Sequence, residues 1–137
     1  MAAIDQAMVS KILNSTTSNT AFTTLTTGFK VRLNSTASTA SAAGTELTNG
    51  TGYVTGGQTS TAPFASTSAA GSAVTIPHTA ILTWTSGGSN FLVIVSMDLT
   101  DGAGVRTWFG NFNGQPIAVA NGNTFQIALD AITISLT

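Results

Sequence analysis

The chain has 137 residues and a mass of 13.8 kDa, the usual size of one compact domain. Only 7% of its residues are charged and its formal net charge is -1, whereas an average soluble domain is about 25% charged. This composition excludes the basic footprint on which nucleic-acid binding depends. The positive mean hydropathy of +0.31 likewise excludes the usual signature of intrinsic disorder.

Several further classes are excluded by the residue inventory. The chain contains no cysteine, so disulfides and thiolate metal sites contribute nothing to its fold. The longest apolar run, FLVIVSM, has seven residues, whereas a membrane-spanning helix needs about 20. Asp5 and Gln6 interrupt the stretch in which a signal peptide needs continuous apolar residues, so classical secretion is not expected. An uncharged surface rich in Thr, Ser and Ala costs little to desolvate, and we therefore expect copies of the chain to associate.

A helical pattern occupies residues Ala2 to Asn14. Its apolar stripe consists of Ile4, Met8, Val9, Ile12 and Leu13. So short a helix is marginal alone in water, and the stripe must pack either on the rest of the domain or on a partner. Ser-, Thr- and Asn-rich residues up to Thr27 predict an extended arm. We accordingly divide the single domain into a helix and arm, residues 1–27, and a β-sandwich, residues 28–137.

From Phe29 onward, apolar residues recur at every second position, which is typical of strands with one buried face. The first strand alternates from Phe29 to Asn34, and we expect Asn34 on its solvated face. Tyr53 and Val54 are expected to anchor the glycine-rich segment that follows. Later strands are predicted at residues 73–76, 80–86, 91–98, 105–112, 124–129 and 131–136, separated by turn residues.

The turns suggest how these strands pair. Gly87-Gly88-Ser89-Asn90 predicts a hairpin between strands 80–86 and 91–98, and Asp101-Gly102-Ala103-Gly104 predicts another turn into strand 105–112. About eight to ten short strands after one N-terminal helix predict an all-β fold, an antiparallel β-sandwich or jelly-roll-like domain.

Few titratable residues are available for catalysis. They are Asp5, Glu46, Asp98, Asp101, Asp130 and His78. His78 could be combined with a serine and Asp98, but no nucleophile-elbow motif accompanies it, so we interpret it as a loop or interface histidine. Asp98 and Asp101 are three positions apart across a turn, which favours hairpin residues over a cation site. We therefore predict no enzymatic activity, no cofactor and no metal.

The large aromatic residues and the cations allow two interpretations each. Trp84, Trp108 and Phe109 could stack on a sugar ring, although their strand positions favour the core or a subunit interface. Lys30, Arg32 and Arg106 could pair with Glu46 or with an acidic residue of a neighbouring chain, or remain in solvent.

Three stretches carry a resemblance to a known family. They are the N-terminal helix running into LNSTTSNTAFTTLTTGFKVRLNST, the segment GTELTNGTGYVTGG, and the closing NGNTFQIALDAITISLT. In this order they resemble small tailed-phage virion proteins, labelled tail fiber or capsid decoration proteins, whose closing segment forms a hairpin. The chain departs from that family at Asn34-Ser35-Thr36, where many members have an HTADPG-like turn. It also has Tyr53-Val54-Thr55 in place of a YAR ending, which removes one arginine available for an interface.

The resemblance implies a structural protein of the virion, assembled in the host bacterial cytoplasm. We expect a capsid decoration, or cement, protein that forms a homo-oligomer, a trimer, on the capsid exterior and contacts the major capsid protein. The alternative is a tail fibre or tail-associated protein that binds host-surface glycans. A carbohydrate-binding domain unrelated to phages and an enzyme are the remaining readings, and neither nucleic acid nor membrane is an expected partner. The predicted partner interface comprises Ile4, Met8, Val9, Ile12, Arg32, Trp84 and Trp108.

Overall fold

A computed structural model describes residues 3–18, 28–48, 52–59, 68–70, 73–77, 81–87, 93–113, 116–128 and 132–136. This part of the chain is mostly β-strand in antiparallel sheets with one short N-terminal helix, which confirms the predicted all-β class. The elements are β1 (Ala3–Ile4), α1 (Gln6–Thr17), β2 (Lys30–Asn34), β3 (Gln58–Thr59), β4 (Ser68–Ala70), β5 (Ala73–Pro77), β6 (Leu82–Thr85), β7 (Ser96–Thr100), β8 (Arg106–Asn111), β9 (Thr124–Ile127) and β10 (Thr133–Leu136).

The strands form one large and two small sheets. The main sheet has five strands in the order β1-β8-β7-β2-β3, and the smaller sheets are β10-β5-β4 and β6-β9. Every pairing between these strands is antiparallel. β7 is buried along its whole length because it lies between β2 and β8. Such layering is consistent with a β-sandwich, while the jelly-roll connectivity stays a prediction.

The core lies between the main sheet and the β6-β9 sheet. Val31 and Leu33 of β2 are fully buried, as their alternation in the sequence predicts, and they join Leu82 and Trp84 of β6 in one apolar cluster. Further members of this cluster are Leu47, Tyr53, Ile94, Met97, Leu99, Val119, Ile127 and Ile132. Burying apolar surface from both layers is the main free-energy term that holds two such sheets together.

Two expected hairpins are wrong. β6 pairs with β9 and not with β7, so Gly87 to Asn90 do not connect paired neighbours. In the closing segment, β9 likewise pairs with β6, whereas β10 pairs with β5. Glycine-rich turns mark where a strand ends, but which strand lies beside it depends on burial: β6 buries alternate residues, and β7 buries every residue. The consecutive strands β6 and β7 therefore enter different sheets, as do β9 and β10.

The N-terminal helix begins later and ends later than the predicted Ala2 to Asn14. β1 pairs with Trp108 and Phe109 of β8, so Ala3 and Ile4 belong to the main sheet. Asp5 then caps the helix, because its Oδ1 accepts a hydrogen bond from the Ala7 backbone N–H at 2.8 Å. Among the helices in the described ranges, none has the length and apolar character needed to cross a membrane.

Two expectations about single side chains are also wrong. Asn34 is fully buried instead of solvated, because the chain after β2 folds back over it and Glu46 forms a β-bridge with it. Val54 is 71% exposed, and only Tyr53 anchors the glycine-rich segment, at 2% exposure. Alternation along one strand cannot reveal that a loop covers its second face.

The hairpin between β7 and β8 is confirmed. Its pairing is antiparallel and contains an irregularity between Leu99 and Thr100. Asp101 Oδ1 accepts hydrogen bonds from the N–H groups of Ala103 and Val105 at 3.0 and 2.8 Å. This carboxylate therefore stabilises the turn, as its position before Gly102 predicts.

Gly44 provides a test of how closely the segment after β2 packs. A Cβ atom at Gly44 would lie 2.4 Å from the Thr36 carbonyl oxygen and 2.8 Å from Asn34 Cβ, whereas one at Gly87 would meet no described atom within 4 Å. We expect Gly44→Ala to lower the free energy of unfolding by about 1–3 kcal/mol through overpacking, and Gly87→Ala to change it little. Urea denaturation of both variants measures the difference, and equal stabilities would contradict the close packing.

Candidate functional site

Arg106 attaches Asp5, near the start of the chain, to the sandwich. Its Nε donates to Asp5 Oδ2 at 2.8 Å, and its Nη1 and Nη2 donate to the carbonyl oxygens of Ala42 and Ala40 at 2.8 and 3.3 Å. The guanidinium also lies 5.4 Å from the centre of the Phe109 ring. A planar group with five donors in fixed positions can satisfy a carboxylate and two carbonyls at once, which a lysine ammonium cannot do with the same geometry.

A second carboxylate lies on the other side of this guanidinium. Asp98 Oδ1 is 3.7 Å from Arg106 Nη1, and its side chain is only 2% exposed. The side chains of Asp5 and Arg106 are 9% and 12% exposed. Burying a charge is costly unless an opposite charge compensates it, so one arginine balances two acidic residues in a poorly solvated region.

A buried polar cluster continues from Asp98. Ser38 Oγ donates to Asp98 Oδ1 at 2.7 Å and accepts hydrogen bonds from Gly44 N–H and Asn34 Nδ2 at 2.9 and 3.2 Å. Asn34 Nδ2 also donates to Ser96 Oγ at 3.1 Å. The Ser38 hydroxyl thus uses its one proton and both lone pairs within the protein. These contacts fix the segment that follows β2.

Asn111 closes this cluster from β8. Its Oδ1 accepts from the Ser38 N–H at 3.0 Å, and its Nδ2 donates to the Ser38 carbonyl oxygen at 3.1 Å. The reciprocal pair satisfies both backbone groups of Ser38, which cannot join a β-ladder because they lie in a loop. Two side chains of β8, Arg106 and Asn111, therefore hold the same loop at two points.

This arrangement joins the loop after β2 to β7 and to β8. Asp98 accepts the hydrogen bond of the Ser38 hydroxyl and lies 3.7 Å from Arg106. His78 lies outside the described residues. Within the described part of the chain, no group of three or more acidic or histidine side chains could hold a metal ion.

A second polar group surrounds Tyr53. The Tyr53 hydroxyl donates to Glu46 Oε1 at 2.7 Å and accepts from the Leu33 N–H at 3.2 Å. Glu46 Oε1 also accepts from the Gly56 N–H at 2.6 Å. Arg32 lies 4.0 Å from Glu46 and donates to the Gly104 carbonyl oxygen at 3.1 Å. Burial, and then the hydrogen bond to Glu46, raise the pKa of the Tyr53 hydroxyl far above its ordinary value.

An open cavity of about 330 Å³ lies where α1 meets the segment after β2. It is lined by Asp5, Gln6, Ala7, Ser10, Ala40 and Ser41. Its wall is made of small side chains, and its one carboxylate already contacts Arg106. The cavity is therefore continuous with the contacts that hold the N-terminal segment.

The predicted interface residues fall into two groups. Met8 and Trp84 are buried at 5% exposure, and Trp84 packs against Phe125 with ring centres 5.9 Å apart. The others are half-buried; they are Ile4, Val9, Ile12, Arg32 and Trp108. The structure brings Ile4 and Trp108 together as Cα partners of β1 and β8, whereas Arg32 lies on β2 and Trp84 in the smaller sheet. Their role in binding a partner stays a prediction.

Sequence reasoning missed the residues that organise this region. Arg106 and Asp5 are 101 positions apart, and no local pattern connects them. Ser38 and Asn111 are separated by 73 positions. Asp5 carried the only local signal, because an aspartate immediately before a helical stretch is a preferred N-cap.

Comparisons with known proteins add no relative. No protein-family model matches the chain, and neither the curated proteins nor the solved structures contain a significant match.

The Arg106–Asp5 contact can be tested by a double-mutant cycle. Arg106→Met leaves buried carboxylates uncompensated, so we expect it to lower the free energy of unfolding by about 3–5 kcal/mol. Asp5→Asn keeps a capping oxygen and removes the charge, and the double variant should recover part of the loss. Lys11→Met is the control, because it removes a cation of α1 that lies outside this network. If the losses in free energy of unfolding of the two single variants add up to the loss of the double variant, the proposed coupling is contradicted.

Because the pKa of Tyr53 is raised, we expect the protein to lose stability at alkaline pH. The Tyr53 pKa is higher in the folded than in the unfolded chain, so its contribution to stability is complete below the ordinary value of 10.0 and is lost as the pH rises above it. We expect the free energy of unfolding to fall there by up to about 1.4 kcal/mol per pH unit. Because the chain has one tyrosine, tyrosinate absorbance should appear together with unfolding. Tyr53→Phe should lack this pH dependence; tyrosinate absorbance in a chain that is still folded would contradict the prediction.

Proposed function

We propose that the chain is a non-enzymatic structural protein of a tailed-phage virion. Within that class we propose a capsid decoration, or cement, protein that self-associates on the capsid exterior and contacts the major capsid protein. The proposal combines the resemblance of the three sequence stretches with one structural observation. That observation is the inward placement of most charged side chains in the described ranges.

Most charged side chains are used inside the domain. Arg106, Asp5 and Asp98 form one poorly exposed group, and Arg32 and Glu46 lie in another with side chains 26% and 21% exposed. Asp101 is 4% exposed in its turn. The remaining charges in the described ranges are Lys11 and Lys30, both half-buried. Asp130 lies outside the described residues.

A surface of this kind favours contacts made by shape. Neutral Thr, Ser and Ala side chains lose little hydration when they are covered, and few charges oppose close approach of identical copies. One such contact is weak, but many copies on a repeated lattice bind with high total affinity. Electrostatic capture of nucleic acid or of an acidic ligand would need the opposite arrangement, with cations on the surface.

The N-terminal helix supplies an apolar surface for such a contact. Leu13 is 54% exposed, and Val9 and Ile12 are half-buried on the same helix. An amphipathic helix binds a partner by placing such a stripe in a groove. The helix is therefore the element that we propose to contact the capsid.

Tail attachment with glycan binding is the competing role. Of the two tryptophans suggested for it, Trp84 fills the core and Trp108 is half-buried. A sugar stacks on an exposed ring face, so Trp84 would have to leave the core to bind one. This arrangement favours the capsid role.

Cryo-electron microscopy of the virion, with quantification of this protein against the major capsid protein, tests the proposal. We expect copy numbers comparable with those of the capsid protein and density on the capsid lattice. A few copies located at the tail would replace decoration by the tail role. Absence of the protein from virions would overturn both.

Salt dependence of capsid binding gives an independent test. Binding that rests on neutral contacts should change less than about threefold between about 0.05 and 0.5 M salt, because screening acts only on charges. Co-sedimentation of the protein with capsids measures the affinity. Lys11→Ala and Lys30→Ala should each behave like the parent, whereas a steep loss of binding with salt would contradict the proposal.

A further inference from the structure

Residues 3–8, which we call the N-terminal segment, are attached to the sandwich by few contacts. β1 pairs with only two residues of β8. Beyond β1, the Asp5 N–H donates to the Thr107 carbonyl oxygen and the Gln6 N–H donates to the Ala40 carbonyl oxygen, each at 3.0 Å. Arg106 and the burial of Met8 complete the attachment.

Apart from its contacts with other residues of α1, this segment makes its polar contacts with β8 and with the loop at residues 40–42. The accepting carbonyls are those of Thr107 and Ala40, and the cation is Arg106. None of these groups is a sequence neighbour of the segment. The same surface can therefore receive an identical segment from a second copy of the chain, with the same hydrogen bonds and the same charge pairing. We call this surface the β8 edge.

The remainder of α1 is held weakly to its own sandwich. Met8 is the one buried side chain of the helix, and Leu13 is 54% exposed. The apolar stripe at Val9, Ile12 and Leu13 thus extends past the N-terminal segment and stays partly in water. Met8 is therefore the one side chain of the helix that transfer of the segment would have to uncover and bury again.

The covalent connection permits the transfer. Ten peptide bonds join Ser18 to Gly28, and a chain of that length can span at most about 33–36 Å. The helix itself adds about 18 Å at 1.5 Å for each of its 12 residues. Together these lengths give the segment a reach of at most about 51–54 Å from Gly28.

We propose that the N-terminal segment is exchanged between copies, so that Asp5 of one chain pairs with Arg106 of its neighbour and adds a strand to that neighbour's β8 edge. Each chain then carries one segment to donate and one edge to receive. Such head-to-tail contacts close into a ring when the rotation between copies is a fraction of a full turn. This inference deepens the self-association part of the proposed function and does not depend on the capsid.

Cysteine cross-linking distinguishes exchange from docking within one chain, because the parent has no cysteine. Gln6 and Ala40 are both exposed, line the same cavity and are joined by a backbone hydrogen bond. Gln6→Cys and Ala40→Cys are purified separately, one with a size tag, then mixed and oxidised. We expect a covalent heterodimer on a non-reducing gel. Gln6→Cys mixed with Thr124→Cys is the matched control, since Thr124 is exposed on β9, and it should give only background.

The double variant Gln6→Cys/Ala40→Cys shows whether the disulfide forms within one chain or between two chains. Exchange predicts covalent oligomers, and docking within one chain predicts an oxidised monomer. A double variant that closes within single chains, together with a mixture that gives no more heterodimer than the control, would overturn the proposal.

The oligomeric state of the purified protein gives a second measurement that is independent of cysteine geometry. Sedimentation equilibrium of the parent should show an oligomer, because an exchanged segment requires a second copy. A parent that is monomeric at every concentration would overturn exchange. Neither result bears on capsid binding, which the co-sedimentation measures separately.

Discussion

The ion pair and hydrogen bonds of the Arg106 guanidinium are the interactions on which the placement of the first residues and of the loop at residues 40–42 depends. The guanidinium lies between the carboxylates of Asp5 and Asp98 and binds the carbonyls of Ala40 and Ala42. Without it, two acidic side chains in a poorly solvated region would lose their compensating cation, and the loop would lose one of its two attachments to β8. Helix cap, sheet edge and loop are thus coupled, because one side chain satisfies all three.

The internal pairing of charged side chains also explains why the surface carries few charges. A chain with four cations and five acidic residues has few charges to distribute, and this fold uses most of them internally. The exposed residues in the described ranges are mostly uncharged, and larger apolar side chains such as Leu13, Val54 and Ile81 are among them. The internal use of charge therefore leaves few charges on the described surface, and the proposed capsid contact rests on that property.

Local periodicity predicted the parts of the fold that depend on one face of one strand. Val31 and Leu33 are buried as expected, and Asp101 stabilises the turn that its glycines predict. The expected solvated position of Asn34 was wrong because the loop that directly follows β2 folds back over it. The Arg106–Asp5 pair joins positions 101 apart, beyond any local pattern. The helix start was mistaken because Ile4 fits the apolar stripe, although Asp5 signals a cap one residue later.

The N-terminal region combines two binding modes that the sequence presented as alternatives. Its first residues are attached by directional contacts, backbone pairing and the Asp5 carboxylate, which specify one orientation on a β8 edge. The following turns of α1 carry an apolar stripe that is only partly covered, and apolar contacts tolerate several partners. Packing on the sandwich therefore uses Met8 and the residues before it, whereas the contact proposed with a second surface would use Val9, Ile12 and Leu13.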